Sequence, residues 1–446
     1  GLASPCQLRA AEVTSLNEEG AGSLRQLVAD AVAGETITFS QAGTITLTSP
    51  ITIDKDIVID GSGKNITISG DQATSIFKIT SGNVEIKSLT LRDGLAQGGE
   101  GRRPGGGIGS GAGGGGAGMG GAIAVAGGTV LINGVEFIDN KAKGGNGGNK
   151  LPVGGTTYSG AGGGSIFGGG ASRVNWGNNY TGRAGGFGGG GSGGLNYSKN
   201  NAYGGTGGFG GGGGGGGTGT YSTAGFYDTR VSAGPAGQAG LFGGAGSAGQ
   251  TMGLDRFGNG QGSGYGGGGG GGGGLGGALF IKSGDVTVSN STFTGSVAEG
   301  GSGGAGSAGG SDGQGVGGAI FVFETGNLVL CENTFDQSQG SVSGITNNDI
   351  YVDPNAAPVV TVISGTDTVG EGVTWVDRGA TTDCGEIFIT SGTVDINTVG
   401  TYTITYTATN PLSGNVGTAT RTVTVVDIAA PVITVTSGAD TIEPGG

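Results

Sequence analysis

The chain has 446 residues, too many for one ordinary domain, and 116 of them are glycine, about a quarter against a usual ~7 %. It lacks a Gly-X-Y period and has only 10 prolines, which excludes collagen. A net charge of −13 argues against nucleic acid as a partner, and the lack of any histidine removes Ser-His and Cys-His nucleophiles.

No apolar run approaches the ~20 residues of a membrane-spanning helix. The opening GLASPCQLR carries no signal peptide, which fits a mature or trimmed N-terminus. Cys6, Cys331 and Cys384 are widely spaced and form no CxxC, so neither a zinc site nor a thioredoxin-like motif is expected. Three buried thiols are the expectation, with one disulfide and one free thiol as the alternative.

An amphipathic helix is expected to begin at Gly22-Ser-Leu-Arg-Gln-Leu. Leu24, Leu27, Val28, Ala31 and Val32 fall at helical spacing. Ser23 and Gln26 form a capping box, and Gly34 ends the helix. Short runs of period-2 apolar residues follow: TITF (36–39), TITLT (44–48), ITI (51–53), DIVID (56–60), NITIS (65–69), IFKI (76–79), NVEI (83–86) and LTL (89–91).

Internal repetition selects a solenoid over a sandwich or barrel. Residues 119–137, 275–293 and 316–335 share one pattern: Gly-Gly-Ala, a strand, a turn, a second strand and a closing Phe. Equivalent residues should stack inward as Ile123/Leu279/Ile320, Val130/Val286/Leu328 and Phe137/Phe293/Phe335. A single coil cannot bury its own apolar face, so several must stack, and the helix would cover the first.

The run 20–63, with GSLRQ, AGETITF, TITLTSPITI and IVIDGSG, resembles bacterial right-handed parallel β-helix surface proteins, relatives of the pectate-lyase-like superfamily and of polymorphic outer-membrane adhesins. The resemblance extends over 20–143 and 275–350. It implies the handedness of the coil and an exported, adhesive role.

Residues 98–121 and 144–277 are glycine-rich inserts. The second holds 14 of the chain's 27 aromatics, unlike an aromatic-poor linker. Lys150, Arg173, Arg183, Lys199, Arg230 and Arg256 against Asp228 and Asp255 give it +4, leaving −17 for the rest. A partly ordered loop domain is expected, its polyproline-II-like glycine strands packed side by side because no side chain keeps them apart. Tyr158, Arg173, Trp176, Tyr180, Arg183, Tyr197, Tyr203, Tyr221 and Arg230 are the candidate ligand-binding residues, with rings for sugar faces and arginines for carboxylate or sulfate. The plainer reading makes the aromatics anchors that hold the insert on the coil.

Residues 357–428 turn to Thr/Val strands, and VDINTVGTYTITYTATN…ATRTVTVVD resembles the Ig-like repeats of large bacterial surface proteins. The resemblance implies an antiparallel β-sandwich of about seven strands. APVITVTSGADT (430–441) repeats APVVTVISGTDT (357–368) at a spacing of 73 with 9 of 12 positions identical. A second Ig-like repeat is therefore expected to start within 429–446, and the native polypeptide to continue into more.

The predicted fold is all-β: a right-handed parallel β-helix over 1–356 with a capping helix and glycine-rich inserts, then an Ig-like β-sandwich. The expected function is a non-catalytic extracellular adhesin, the distal module of a long cell-surface fibre. Its partners would be glycans or abiotic surfaces in attachment, biofilm formation or gliding, with self-association along the fibre and with secretion and anchoring machinery reached through a further C-terminal part.

Two alternatives stand beside it: a self-assembling filament or sheath subunit, and a polysaccharide lyase or hydrolase. For the enzyme, Asp54, Asp56 and Asp60 are the best carboxylate cluster, with Arg92, Asp93, Arg102 and Arg103 further on; a solvated edge is the plainer account of them. No cofactor is required. Asp353 and Asp427, each just before an Ala-Pro domain entry, are the calcium candidates, with solvated linker carboxylates as the plainer account.

Overall fold

The computed structural model describes residues 10–104, 110–149, 159–173, 181–194, 203–215, 218–223, 226–233, 236–248, 266–306, 309–340, 349–352, 360–382, 389–409 and 416–428. The chain divides into two compact units near residue 357. Among the described residues it is nearly all β, with one helix and many parallel strands in curled sheets.

In the first unit the tiers repeat a face made by Glu35–Phe39, Ile57–Asp60, Asn83–Lys87 and Thr129–Asn133, each strand paired in parallel with the next. A second face runs through Ile51–Ile53, Phe77–Ile79 and Ile123–Val125. Leu279–Ser289 and Ile320–Cys331 each continue both faces in one longer strand. A third face stacks Gly43–Thr46, Ile66–Ser69, Thr90–Arg92, Glu136–Ile138, Thr292–Thr294 and Thr334–Asp336.

All three predicted columns are in register: Ile123/Leu279/Ile320, Val130/Val286/Leu328 and Phe137/Phe293/Phe335. The Phe293 ring centre lies 4.5 Å from that of Phe137 and 4.9 Å from that of Phe335, stacked nearly parallel to both. Alternation puts these residues inward, so one continuous core runs through the tiers. At a corner between faces, Asn140 is fully buried; its Oδ1 accepts from Gly94 N at 2.9 Å and its Nδ2 donates to Leu91 O at 2.9 Å. One buried amide thereby satisfies the backbone of the tier below.

The helix is Leu24–Asp30, and it buries Leu24 and Val28 against the first strands. Ser23 Oγ accepts from Gln26 N at 3.3 Å, but only this half of the capping box forms. Ser23 N bonds to Gly20 O, and the Gln26 amide donates to Asp30. The helix stops before Gly34: Ala31 has already left helical backbone, and Val32, expected on the apolar face, is 52 % exposed.

In the second unit Val360–Val362 pairs antiparallel with Ala380–Thr382. Ile389–Ser391, Gly400–Thr409 and Val416–Val426 form an antiparallel run. Thr368–Gly370 joins this run in parallel, a departure from the wholly antiparallel sandwich expected. Its small core of Ile404, Tyr406, Ala408, Val423 and Val425 encloses Arg421, 2 % exposed. The Arg421 charge is tolerated there because Nη1 meets Asp367 at 2.7 Å, Nε meets the Tyr406 hydroxyl at 3.2 Å, and Nη2 meets the carbonyls of Ile363 and Gly379.

Candidate functional site

The glycine-rich segments leave the stack at one corner. Leu95–Gln97, Lys141–Lys143 and Val297–Glu299 form one small parallel sheet, and Gly118–Met119, Gly274–Leu275 and Gly315–Val316 another. Between these sheets three excursions leave successive tiers: 98–117, 144–273 and 300–314. The third was not recognised in the sequence, where only 98–121 and 144–277 read as inserts. At the base, Lys141 donates to Glu299 and Lys143 lies 3.8 Å away, which holds the Glu299 carboxyl below its usual range.

Apart from one hairpin, the described residues of the excursions form one bundle without sheet or helix. Gly113, Gly114, Gly115 and Gly116 donate in turn to Arg102, Gly191, Gly270 and Gly99. Their carbonyls accept in turn from Gly148, Gly163, Gly212 and Gly145. Partners recur every third residue, as three residues per turn of polyproline II require. Segment 110–117 thus bonds to six neighbours: 98–103, 144–149, 159–164, 188–194, 210–215 and 266–273. Every backbone donor and acceptor of 113–116 is used, which meets the demand of burial without a β ladder. A Cβ on Gly114 would sit 2.0 Å from Gly212 O, and one on Gly115 1.9 Å from Gly145 O. Glycine is therefore required by contact distance here.

The bundle has two chemically different ends. At the stack, its turns carry Ile166, Phe167, Phe187, Phe209 and Phe242. These pack on residues pointing out from the second face: Phe280, Phe321, Phe323 and Tyr351. The rings step along the stack in chain order, Phe167 and Phe187 meeting Phe280, and Phe242 meeting Phe321 and Tyr351. Lys282 Nζ stands 4.7 Å from the centre of the Phe187 ring. These phenylalanines are anchors, as the plainer sequence reading allowed. Their signal is a short repeat, Phe-Gly-Gly, at 167, 187, 209 and 242.

The opposite end brings together 102–103, 110–112, 148–149, 159–161, 193–194, 215, 247–248 and 266–267 through backbone bonds. Of the candidate ligand-binding residues, Arg173, Arg183 and Tyr203 are exposed. Arg183 Nη1 donates to Ser172 Oγ at 2.8 Å, and Gly182 N donates to Tyr203 O at 2.7 Å. Tyr221 and Arg230 are backbone partners in an antiparallel hairpin, Thr218–Thr223 with Phe226–Ala233. Tyr158, Trp176, Tyr180 and Tyr197 lie outside the described residues.

The carboxylates weighed for catalysis do not converge. Asp54 is exposed and 4.0 Å from Lys55, Asp56 accepts from Asn83 N, and Asp60 pairs with Lys87 at 3.3 Å. Arg92 is bound to its neighbour Asp93. Among the described residues no three His, Cys, Asp or Glu side chains are grouped to hold a metal. Asp427 is exposed at the end of its strand, and Asp353 lies outside the described residues. Cys331 is half-buried, not fully buried as expected; Cys6 and Cys384 are outside the described residues.

The fold and site define a parallel-stranded scaffold that holds out a glycine bundle, joined to a separate β unit. Residues 355–425 match the family model of a bacterial surface protein Ig-like domain. No curated protein matches the chain. The Ig-like domain points to a surface-associated, surface-exposed protein.

Proposed function

We propose that the protein is a non-catalytic adhesin of the bacterial cell surface, with a closed right-handed parallel β-helix as scaffold and the glycine bundle as its adhesive part. The observation that carries this reading is the segregation of the bundle's two ends. All anchoring rings face the stack, whereas the remote end presents Arg173, Arg183 and Tyr203 to solvent. A loop of this length exceeds what is needed to connect Lys141–Lys143 to Gly274–Leu275, and long ordered excursions on a rigid scaffold are where binding residues concentrate. The recurrence of the 357–368 motif at 430–441 supports tandem Ig-like domains as spacers.

The filament alternative is weakened by the helix Leu24–Asp30, which covers the first tier and opposes head-to-tail stacking. The lyase alternative has no convergent carboxylate and base among the described residues to support it.

The test is a chain in which a short Gly-Ser linker replaces 150–265. Phe280, Phe321 and Phe323 must be changed to Thr in the same chain, because the deletion would otherwise bare an aromatic patch. Attachment to surfaces and glycan-array binding should fall to background while the strands stay folded. Undiminished attachment would move the adhesive role to the stack or the Ig-like unit. A polysaccharide panel with calcium should show no new reducing ends and no unsaturated uronate.

A further inference from the structure

Viewed along its segments, the bundle has a ring of outer segments around inner ones such as 110–117. One half of the ring runs 98–103, 159–164, 168–173, 181–187, 203–208. Adjacency is fixed by backbone bonds: Arg102 N to Ala161 O at 2.8 Å, Gly162 N to Ala171 O at 2.9 Å, Gly186 N to Gly169 O at 3.1 Å and Gly182 N to Tyr203 O at 2.7 Å. This half carries Arg102, Arg103, Arg173 and Arg183, all exposed, near the end remote from the stack, and Tyr203, 47 % exposed. Its one acid, Glu100, accepts a hydrogen bond from Asn146. The other half runs 236–240, 243–248, 309–314, 300–306, 144–149. Among its described residues the only charged side chain is Asp312, which accepts from Gly303 N.

Four arginines on one side of a neutral glycine surface, on a chain of net charge −13, form a local positive field that the rest of the molecule opposes. Arg102 and Arg103 come from the first excursion and Arg173 and Arg183 from the second, so only the assembled bundle unites them. A shallow cleft beside the first pair is lined by Glu100, Gly101, Arg102, Arg103, Gly147, Gly148 and Asn149.

We propose that this arginine rim is the docking surface for an anionic polysaccharide, the four guanidinium groups pairing with its carboxylates or sulfates and the Tyr203 ring stacking on a sugar face. The proposal rests on the adhesin reading and names its ligand. Guanidinium forks suit planar bidentate acceptors. The described part of the rim exposes no large aliphatic side chain for insertion into a lipid surface, and Tyr203 is its one ring.

The test uses the full chain with polygalacturonate and dextran sulfate as probes, dextran as the neutral control and a DNA oligonucleotide of matched charge. The intact protein should bind both anionic polysaccharides, bind dextran negligibly and lose affinity as salt rises. The combined variant Arg102→Gln, Arg103→Gln, Arg173→Gln, Arg183→Gln should weaken binding by roughly tenfold or more and flatten the salt dependence. Arg102→Gln with Arg103→Gln alone should show part of the loss, and Gln238→Glu on the opposite half should change little. Hydrogen exchange across 110–117 checks that the bundle stays assembled.

Full binding by the combined variant, equal binding of dextran, or tighter binding of DNA than of polygalacturonate would overturn the proposal. If the combined variant keeps its binding while the 150–265 replacement loses it, the rim is wrong and the adhesive insert stands. If the replacement also binds, the adhesin reading of the insert fails with it.

Discussion

In the parallel stack a strand has two hydrogen-bonding neighbours and mostly large apolar side chains inward; in the glycine bundle the central segment 110–117 has six neighbours and almost no side chains. The stack gains its stability from apolar area: Phe293 is wholly buried between two rings. The bundle buries peptide groups against one another and borrows its apolar contact from the stack, through Phe167, Phe187, Phe209 and Phe242. Residues of one region therefore have little tolerance for the chemistry of the other. A small residue in the stack leaves a cavity, and a Cβ in the bundle has no space.

The largest expected effect is Phe293→Ala in the stack, which should cost about 3–5 kcal/mol in denaturant unfolding. A change within about 0.5 kcal/mol would remove Phe293 from the core. Next is Gly115→Ala in the bundle. Its added methyl meets Gly145 O, and at least about 1–3 kcal/mol is expected as the segments part. Amide exchange should rise across 110–117 and 188–194 while Asn83–Lys87 and Thr129–Asn133 keep their protection. Equal loosening of both regions would mean that the bundle and the stack are one cooperative unit.

Phe209→Ala should cost less, about 2 kcal/mol, because the ring is only partly buried, although it touches Phe187, Phe242, Phe321 and Phe323. Its exchange signature should appear in the bundle first.

The smallest effect is a pH dependence at the capped end of the stack. Burial pushes the Glu18 carboxyl up, but hydrogen bonds from Thr48 and Arg25 outweigh it, and the group lies below its usual range. A depressed folded-state value stabilises fully above the unfolded carboxylate range and is lost as pH falls through the folded value. Acidification should therefore loosen the helix Leu24–Asp30 by about 1 kcal/mol or less. Glu18→Gln should remove that dependence; an unchanged pH profile in the variant would place the titration elsewhere.

Much of the stack was legible in the sequence because period-2 alternation and the repeats at 119, 275 and 316 specify which residues point inward and which tiers are equivalent. The three columns followed from this directly. The helix was legible too, but its last turn was not: Ala31 and Val32 fit the apolar spacing, and only their contacts show that the chain has turned away. For the site, composition marked the insert as basic and aromatic but could not sort anchors from exposed residues. The distinction between Phe187 and Tyr203 lies in which turn of the bundle each occupies.

The sequence by itself determined the inward columns, the helix cap at Ser23, the change of character near 357 and the necessity of close glycine packing, since each depends on local spacing and side-chain size. Tertiary structure alone decided that 300–314 joins the other excursions and that the outward Phe280 and Phe321 are covered by the bundle. It also decided that Arg102 and Arg183, 81 positions apart, occupy one rim. A polyproline-II segment with no side chains carries no pattern that names its neighbours; hydrogen bonds to other segments, closed only when all have come together, assign them.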